Sequence, residues 1–158
     1  DVTVARGLGP VPDGAYADPR DPTMGWRAYD GRQGDADVDW DAVRVAAIVP
    51  ESGVELTADS FILEMGFERL HGVDFRKGCY VGQEVTARMK HKTELRKGLA
   101  QVDMSAPVPV GTEILVGEKS AGTVFTQAQG HGLAYLRFDR ATGDMSAGDA
   151  EVRLTQKG

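Results

Sequence analysis

Residues 77–84 place several functional groups within eight positions of the chain. Their side chains supply an ammonium, a thiol, a phenol, an amide and a carboxylate, on Lys77, Cys79, Tyr80, Gln83 and Glu84. Two glycines, Gly78 and Gly82, would let another backbone or a ligand approach closely. If a helix begins at Gly82, its first amide N–H groups would favour a thiolate on Cys79. We therefore predict that Cys79 is reactive and is the candidate catalytic residue.

Cys79 is the single cysteine of the chain, and a free cysteine is also a small apolar side chain that is often buried. The chain cannot form an internal disulfide. One thiol and three histidines do not make a self-sufficient metal site, so we expect no metal bound by this chain alone. Lone thiols are typical of reducing compartments, which predicts a cytoplasmic protein, or one of the mitochondrial matrix in a eukaryote.

Charge is unevenly distributed along the chain. The net charge is -6, whereas residues 76–97 carry seven basic and two acidic side chains, so the remainder carries -11. The overall sign argues against a protein that coats nucleic acid or anionic membrane with its whole surface. No apolar run approaches the roughly 18 residues that cross a bilayer, so we predict no membrane partner. The basic cluster consists of Arg88, Lys90, His91, Lys92, Arg96 and Lys97. It is either a solvated helix face or a site for a polyanion.

The pattern of apolar and turn residues changes near residue 97. This change predicts two domains, residues 1–96 and residues 97–158. Short alternating runs separated by turn residues follow that point, and Gly117 marks a predicted hairpin. The five predicted strands cover residues 99–104, 113–116, 123–126, 133–138 and 151–154. Strands with this spacing predict a small antiparallel β-barrel, and we assign the chain to the α+β class.

Residues 77–84 are here called the reactive segment. The elements that must position it lie in residues 1–96. Asp39 is a typical N-cap, and the apolar spacing after it predicts a helix over 40–49. Asp59 is a second N-cap signal, although Gly66 opposes a helix that continues beyond it. Short strands are predicted around residues 2–6 and 25–29.

The segment KGCYVGQE at 77–84, followed by TARMKH, resembles the signature of the YgfZ/GcvT-type folate-binding family. The likeness is to the subgroup linked to iron–sulfur cluster assembly and repair, relatives of the glycine-cleavage T-protein aminomethyltransferase. Further resemblance lies in DPRDPTMGWR at 18–27, VPESGVEL at 49–56 and LEMGFERLHGVDF at 63–75. The segment HGLAYLRFD is similar to part of the family's terminal barrel. The chain is identified as the C-terminal portion of such a protein.

The resemblance implies a ring of two interleaved, GcvT-like α+β lobes and a terminal barrel. Residues 1–96 would form the later parts of the two lobes. It also implies a reduced folate in the central channel, either tetrahydrofolate or a one-carbon derivative. Full-length members carry a substantial N-terminal region, so we expect that segment of its own chain to be a partner. The catalytic aspartate of the T-protein would lie in that region.

The residues predicted to contact folate are Trp26, Arg27, Glu64, Lys77, Gly78, Tyr80, Gly82, Gln83, Glu84 and Arg88. An indole can stack on a pterin, and a guanidinium can bind carboxylates in a forked geometry. Glu64 or Glu84 would accept hydrogen bonds from the amino-pyrimidine edge. The alternatives are that Trp26 packs in a core, that Arg27 is a surface charge, and that the carboxylates are solvated. The basic cluster would bind a polyglutamate tail or RNA phosphates.

Three functions follow from these residues and this resemblance. The first is a folate-binding accessory protein for iron–sulfur cluster assembly, in which Cys79 takes part through thiol chemistry and iron–sulfur proteins or cluster-assembly factors are the partners. The second is a tetrahydrofolate-dependent aminomethyltransferase, which would not require Cys79. The third is a binding module for tRNA or for tRNA-modifying enzymes, acting through the basic cluster.

Overall fold

A computed structural model describes residues 2–91 and 94–158. The chain begins with a small antiparallel sheet in which the strand order is β1-β3-β2. The strands are β1 (Ala5–Gly7), β2 (Tyr16–Ala17) and β3 (Trp26–Ala28), and a 3₁₀ helix at Pro22–Met24 precedes the last of them. Two of these strands overlap the predicted ones. The third was missed because two residues carry no alternation that a sequence pattern can register.

The helix α1 (Trp40–Ala47) confirms the predicted N-terminus. The carboxylate of Asp39 accepts a hydrogen bond from the backbone N–H of Ala42 at 3.0 Å, which satisfies one of the free amides of the first turn. The helix ends earlier than predicted because Ile48 adopts a left-handed conformation, with φ of 50°. This residue turns the chain before Pro50 is reached.

The helix predicted from Asp59 is wrong, since residues 59–70 contain no helix and residues 62–70 form successive turns. The backbone N–H of Thr57 donates to Ser60 Oγ at 2.9 Å, so a local turn replaces a helix cap. Gly66 then has φ of +75°, which a right-handed helix does not allow. A second helix, α2 (Glu84–Lys90), begins at the last residue of the segment 77–84, two residues later than Gly82.

The second part of the chain is a closed six-stranded antiparallel barrel with strand order β4-β7-β6-β5-β8-β9. Its strands are β4 (Lys97–Met104), β5 (Glu113–Val116), β6 (Lys119–Ala128), β7 (His131–Arg137), β8 (Met145–Ala147) and β9 (Ala150–Lys157). Its core contains Val102, Ile114, Val124, Leu136 and Val152, which are all essentially inaccessible. The predicted α+β class with a C-terminal barrel is confirmed. The hairpin at Gly117 is also confirmed, because Val116 pairs directly with Lys119.

A buried ion pair fastens α1 to the barrel. Arg44 Nη1 lies 3.2 Å from Glu55 Oε2, and Arg44 Nη2 donates to Thr126 Oγ1 on β6 at 2.8 Å. Glu55 Oε1 accepts from the same hydroxyl at 2.6 Å. Beside this network, Val45 and Ile48 pack on Leu99 of the barrel. No helix formed by the described residues is long and apolar enough to cross a membrane.

Candidate functional site

Cys79 is a free, exposed thiol. It lies in residues 71–91, here called the cysteine arm, and no residue of the arm is buried. The arm runs from the turns after Gly66 through the reactive segment to the end of α2. The sulfur is therefore presented to solvent and is not enclosed in packing, and of the two alternatives that the sequence left open the exposed thiol is the one observed.

Two glycine turns frame the thiol. Gly78 and Gly82 both have φ of +88°, a conformation that other residues adopt at a cost. Between them, the backbone N–H of Tyr80 donates to Gln83 Oε1 at 3.2 Å, so Gln83 holds the loop together. Lys77 Nζ lies 4.9 Å from the centre of the Tyr80 ring. The sequence-predicted residues of this segment thus shape the loop around Cys79.

Lys90 connects the arm to the turns that precede it. Lys90, in the last turn of α2, forms an ion pair with Glu68, and its ammonium lies 5.0 Å from the centre of the Phe75 ring. Glu84 stands in the first turn of α2 and Arg88 in the last, where their charges complement the helix dipole. Val81 at the tip is fully exposed.

Glu64 lies in a different place, in a cleft of about 870 Å³ between the end of the arm and the barrel. The cleft is lined by Glu64, Met89, Glu94, Leu95, Arg96, Lys97, Phe138, Asp139 and Lys157. The hydroxyl of Tyr135 on β7 donates to Glu64 Oε2. Burial, and then this hydrogen bond, raise the pKa of Tyr135, which keeps the phenol neutral and donating. Cys79 does not line this cleft.

Trp26 and Arg27 lie in the N-terminal sheet. The Trp26 side chain is buried beside Ala5 and Ala28, and its indole N–H donates to the carbonyl of Leu8 at 3.2 Å. The observed surroundings are those of a core residue, so the packing alternative describes the structure. Arg27 Nε donates to Asp18 Oδ2 at 3.0 Å, so this partly exposed arginine pairs with a buried carboxylate. Neither residue lines the cleft that contains Glu64.

The basic cluster is divided by the fold. Arg88, Lys90 and His91 lie at the end of the arm, whereas Arg96 and Lys97 line the Glu64 cleft. Lys92, the remaining member of the cluster, lies outside the described residues. Among residues 2–91 and 94–158, no three His, Cys, Asp or Glu side chains come together as a metal site requires.

Sequence reasoning missed Phe138 and Lys157 of the cleft, and it missed Tyr135 as the partner of Glu64. Tyr135 on β7 is 71 positions from Glu64 along the chain, Phe138 directly follows the same strand, and Lys157 ends β9. The ammonium of Lys157 lies 4.6 Å from the centre of the Phe138 ring. No local motif marks these residues, because only closure of the barrel brings them to the same wall.

Comparison with known proteins finds relatives of this chain. Residues 96–158 match the CAF17 C-terminal beta-barrel domain. Over 154 residues the chain is 34% identical to the mitochondrial iron-sulfur cluster assembly factor IBA57 of Mus musculus, covering 87% of this chain and 43% of that protein. The chain is homologous to IBA57 proteins over most of its length, and its barrel matches the CAF17 C-terminal family. The Homo sapiens IBA57 is 33% identical over 144 residues, covering 81% of this chain and 40% of that protein.

The likeness to IBA57 proteins confirms the predicted resemblance to relatives that act in iron–sulfur cluster assembly. The chain spans less than half the length of these two IBA57 proteins. A putative chloroplastic transferase of Arabidopsis thaliana is 32% identical over 111 residues, covering 66% of this chain and 25% of that protein. The IBA57 proteins carry mitochondrial names, which agrees with the compartment predicted for a eukaryotic member.

Proposed function

We propose that the protein acts in iron–sulfur cluster assembly and that Cys79 is the residue that takes part. The observation that carries the proposal is the free, exposed thiol at the tip of an arm with no buried residue. A thiolate is the form of cysteine that reacts and that binds iron–sulfur clusters. An exposed thiolate can supply one ligand to a cluster whose other ligands belong to a partner protein. The names of the relatives support this role.

Tetrahydrofolate, or a one-carbon derivative, is the proposed ligand of the Glu64 cleft. The volume of about 870 Å³ is in the range of small-molecule sites, ~300–1,000 Å³. The Glu64 carboxylate, oriented by Tyr135, is the acceptor that an amino-pyrimidine edge requires. Phe138 contributes an aromatic ring that lies against Lys157, and Arg96 and Lys97 offer positive charge to the carboxylates of a glutamate tail. Bound folate would supply one-carbon chemistry.

The proposed partners are iron–sulfur proteins or cluster-assembly factors, together with the N-terminal region of the full-length protein. The cysteine arm presents exposed apolar side chains among basic ones, which suits contact with another surface. The mitochondrial matrix is the proposed compartment in a eukaryote, on the strength of the relatives' names.

Complementation of cells that depend on the full-length protein tests the role of Cys79. We expect Cys79→Ser to lower the activity of cluster-dependent enzymes, because an alcohol neither binds iron as a thiolate does nor reacts like one. Val81→Ala is the matched control, since it changes an exposed side chain of the same loop and leaves the thiol. Full activity with Cys79→Ser at normal protein levels would refute the proposal.

Folate binding is tested separately by calorimetry on the purified protein. Glu64→Gln should weaken tetrahydrofolate binding by about tenfold or more, because a hydrogen bond to a charged group is lost. Glu118→Gln, in the hairpin between β5 and β6, is the control. Equal tetrahydrofolate affinity in the wild type and Glu64→Gln would refute folate binding in this cleft. It would leave the role proposed for Cys79 unaffected.

An aminomethyltransferase is the second candidate function, favoured by the likeness to the putative Arabidopsis transferase. It predicts that the full-length protein supports glycine cleavage and that Cys79→Ser keeps this turnover. Loss of cluster-dependent activity without any glycine-cleavage turnover would decide for the first function.

A further inference from the structure

A smaller cleft of about 230 Å³ lies between the end of α1 and the turns around Leu70, away from both the Glu64 cleft and Cys79. Its lining is formed by Arg20, Val49, Pro50, Ser52, Leu56, Phe67, Leu70 and Gly72. Most of these side chains are apolar, and Arg20 is the single charged residue among them. A charged group at the wall of an apolar cleft is the arrangement that fixes the orientation of an amphipathic ligand.

A buried carboxylate holds the Arg20 guanidinium in place. Asp18, whose side chain is 2% exposed, accepts from Arg20 Nε at 2.9 Å and from Arg20 Nη2 at 2.7 Å. The backbone N–H of Arg20 also donates to Asp18 Oδ1 at 3.0 Å. Burial alone would raise the pKa of Asp18, but the hydrogen bonds from Arg20 hold it below its ordinary value. The guanidinium is thus preorganised and charged.

The same carboxylate is shared by a second arginine, which leaves an excess of positive charge. Arg27 Nε donates to Asp18 Oδ2, the oxygen that also binds Arg20. Within residues 2–91 and 94–158, Arg20 Nη1 and both terminal nitrogens of Arg27 have no acceptor at hydrogen-bond distance. Two guanidinium groups and one carboxylate therefore offer free donors and a net charge of about +1.

The carboxylates of Asp21 and Glu51 interact with side chains other than Arg20. Asp21 Oδ2 faces Arg69 Nη1 at 3.8 Å, and its other oxygen accepts from Thr23. Glu51 Oε2 faces Arg44 Nε at 3.2 Å. Within the described part of the chain, neither carboxylate is therefore paired with Arg20, and the free N–H donors of Arg20 are available to a ligand.

We propose that this cleft binds a carboxylate joined to a small apolar group. Arg20 would bind the carboxylate through its free donors, and the apolar wall would cover the rest of the ligand. The cleft is smaller than the ~300–1,000 Å³ of drug-sized sites, so the apolar group is about as large as one leucine or phenylalanine side chain. Such a ligand is either a free small acid or the C-terminal residue of a peptide. The inference does not depend on the proposed function.

The chain provides a matched control for Arg20. Arg32 repeats the local arrangement, since its backbone N–H donates to Asp30 Oδ1 at 3.2 Å and its Nε donates to the same oxygen at 2.9 Å. Asp30 is about half exposed, however, and Arg32 does not line the cleft. Arg32→Met therefore removes an equivalent ion pair while leaving the proposed site intact.

Titration with phenylacetate, followed by the amide NMR signals of the folded protein, tests the site. We expect saturable shifts at Ser52, Leu56 and Gly72 in the wild type and in Arg32→Met. Arg20→Met should weaken binding at least about tenfold, because a charge-assisted hydrogen bond is lost. The neutral phenylacetamide should bind more weakly than phenylacetate. If Arg20→Met perturbs the fold, Arg20→Lys, which keeps the charge and loses the fork, should still bind more weakly than the wild type.

Short peptides that end in phenylalanine separate the two sources of the carboxylate. Binding of a peptide with a free C-terminus, and not of its amidated form, would assign the cleft to peptide ends. Binding of phenylacetate without either peptide would assign it to small acids. Absence of saturable phenylacetate and peptide binding, or equal affinities in the wild type and Arg20→Met, would overturn the proposal.

Discussion

The barrel and the cysteine arm differ in how far their side chains are buried. In the barrel, the six strands close on themselves and bury a core that includes Ile114, Val124 and Leu136. The arm, residues 71–91, buries no residue and exposes Val81 completely. Burial of apolar area is the main source of folding free energy. The barrel is therefore stabilised by its own residues, whereas the side chains of the arm remain available to another molecule.

The largest expected effect concerns the network that ties the barrel to α1, for which the arm has no counterpart. Glu55→Ala should lower the free energy of unfolding by about 3–5 kcal/mol, because it leaves the buried Arg44 without its main carboxylate. Glu51→Ala removes a more exposed carboxylate from the same arginine and should cost at most about 1 kcal/mol. Urea unfolding measures both. Similar losses in the two variants would contradict the description of Glu55 as the central partner.

Truncation of apolar side chains compares the two regions directly. Leu136→Ala in the barrel core should cost about 2–5 kcal/mol, since it leaves a cavity among closely packed side chains. Val85→Ala in the arm removes a half-exposed side chain and should change the free energy of unfolding by less than about 0.5 kcal/mol. A cost above this range for Val85→Ala would show that the arm is packed more firmly than the structure indicates.

Substitution of two glycines by alanine distinguishes the cost of steric crowding from the cost of backbone strain. A Cβ at Gly122 in β6 would lie 2.3 Å from the carbonyl oxygen of Tyr135, so Gly122→Ala should cost about 1–3 kcal/mol or more. No atom lies within 4 Å of a Cβ at Gly82, whose φ is +88°. Gly82→Ala should then cost about 1 kcal/mol, from strain in an exposed loop. Thermal unfolding compares them, and a larger loss at Gly82 would be inconsistent with an unpacked arm.

The smallest effect depends on pH and lies on the barrel surface. Hydrogen bonds to Asp103 from Thr155, at 3.0 Å, and from His131, at 2.7 Å, lower its pKa in the folded state. A depressed pKa stabilises the fold above the unfolded value, near 3.9, and this contribution disappears as the pH falls through the folded value.

Asp103→Asn should therefore unfold at a lower urea concentration than the wild type at pH 7. The gap should begin to narrow as the pH falls below about 4 and should close below the lowered folded-state pKa of Asp103, where its carboxyl group is uncharged in the folded chain as well. Asp37→Asn, at an exposed position outside the barrel, is the control. A gap that persists at low pH would show that Asp103 does not act through its charge.

The sequence was most informative about elements that depend on local patterns. The helix after Asp39 and most barrel strands follow from caps and alternation, since these signals lie within one element. The strand β8, of three residues, is too short to show alternation. The helix predicted from Asp59 failed because a side-chain turn at Thr57 and the positive φ of Gly66 outweigh the cap signal.

The candidate site also contains both residues whose proximity a local pattern predicts and residues that only the fold brings together. Cys79 and the turn residues around it stand together in the sequence, so their proximity could be predicted. The pairing of Glu64 with Tyr135 could not, because it depends on how the closed barrel packs against the turns after Ser60. Trp26 was ambiguous in the sequence since an indole serves equally in a core or on a ligand. Its burial beside Ala5 and Ala28 was settled by three-dimensional packing.

Alkylation of Cys79 in the native protein tests the central claim most directly. Iodoacetamide labelling, followed by mass spectrometry, gives the rate for the native chain and for the urea-unfolded chain. Because the thiol is exposed on an arm without buried residues, the native rate should be within about threefold of the unfolded rate, or faster. Protection by about a hundredfold or more would show that the sulfur is enclosed, and it would contradict the role proposed for Cys79.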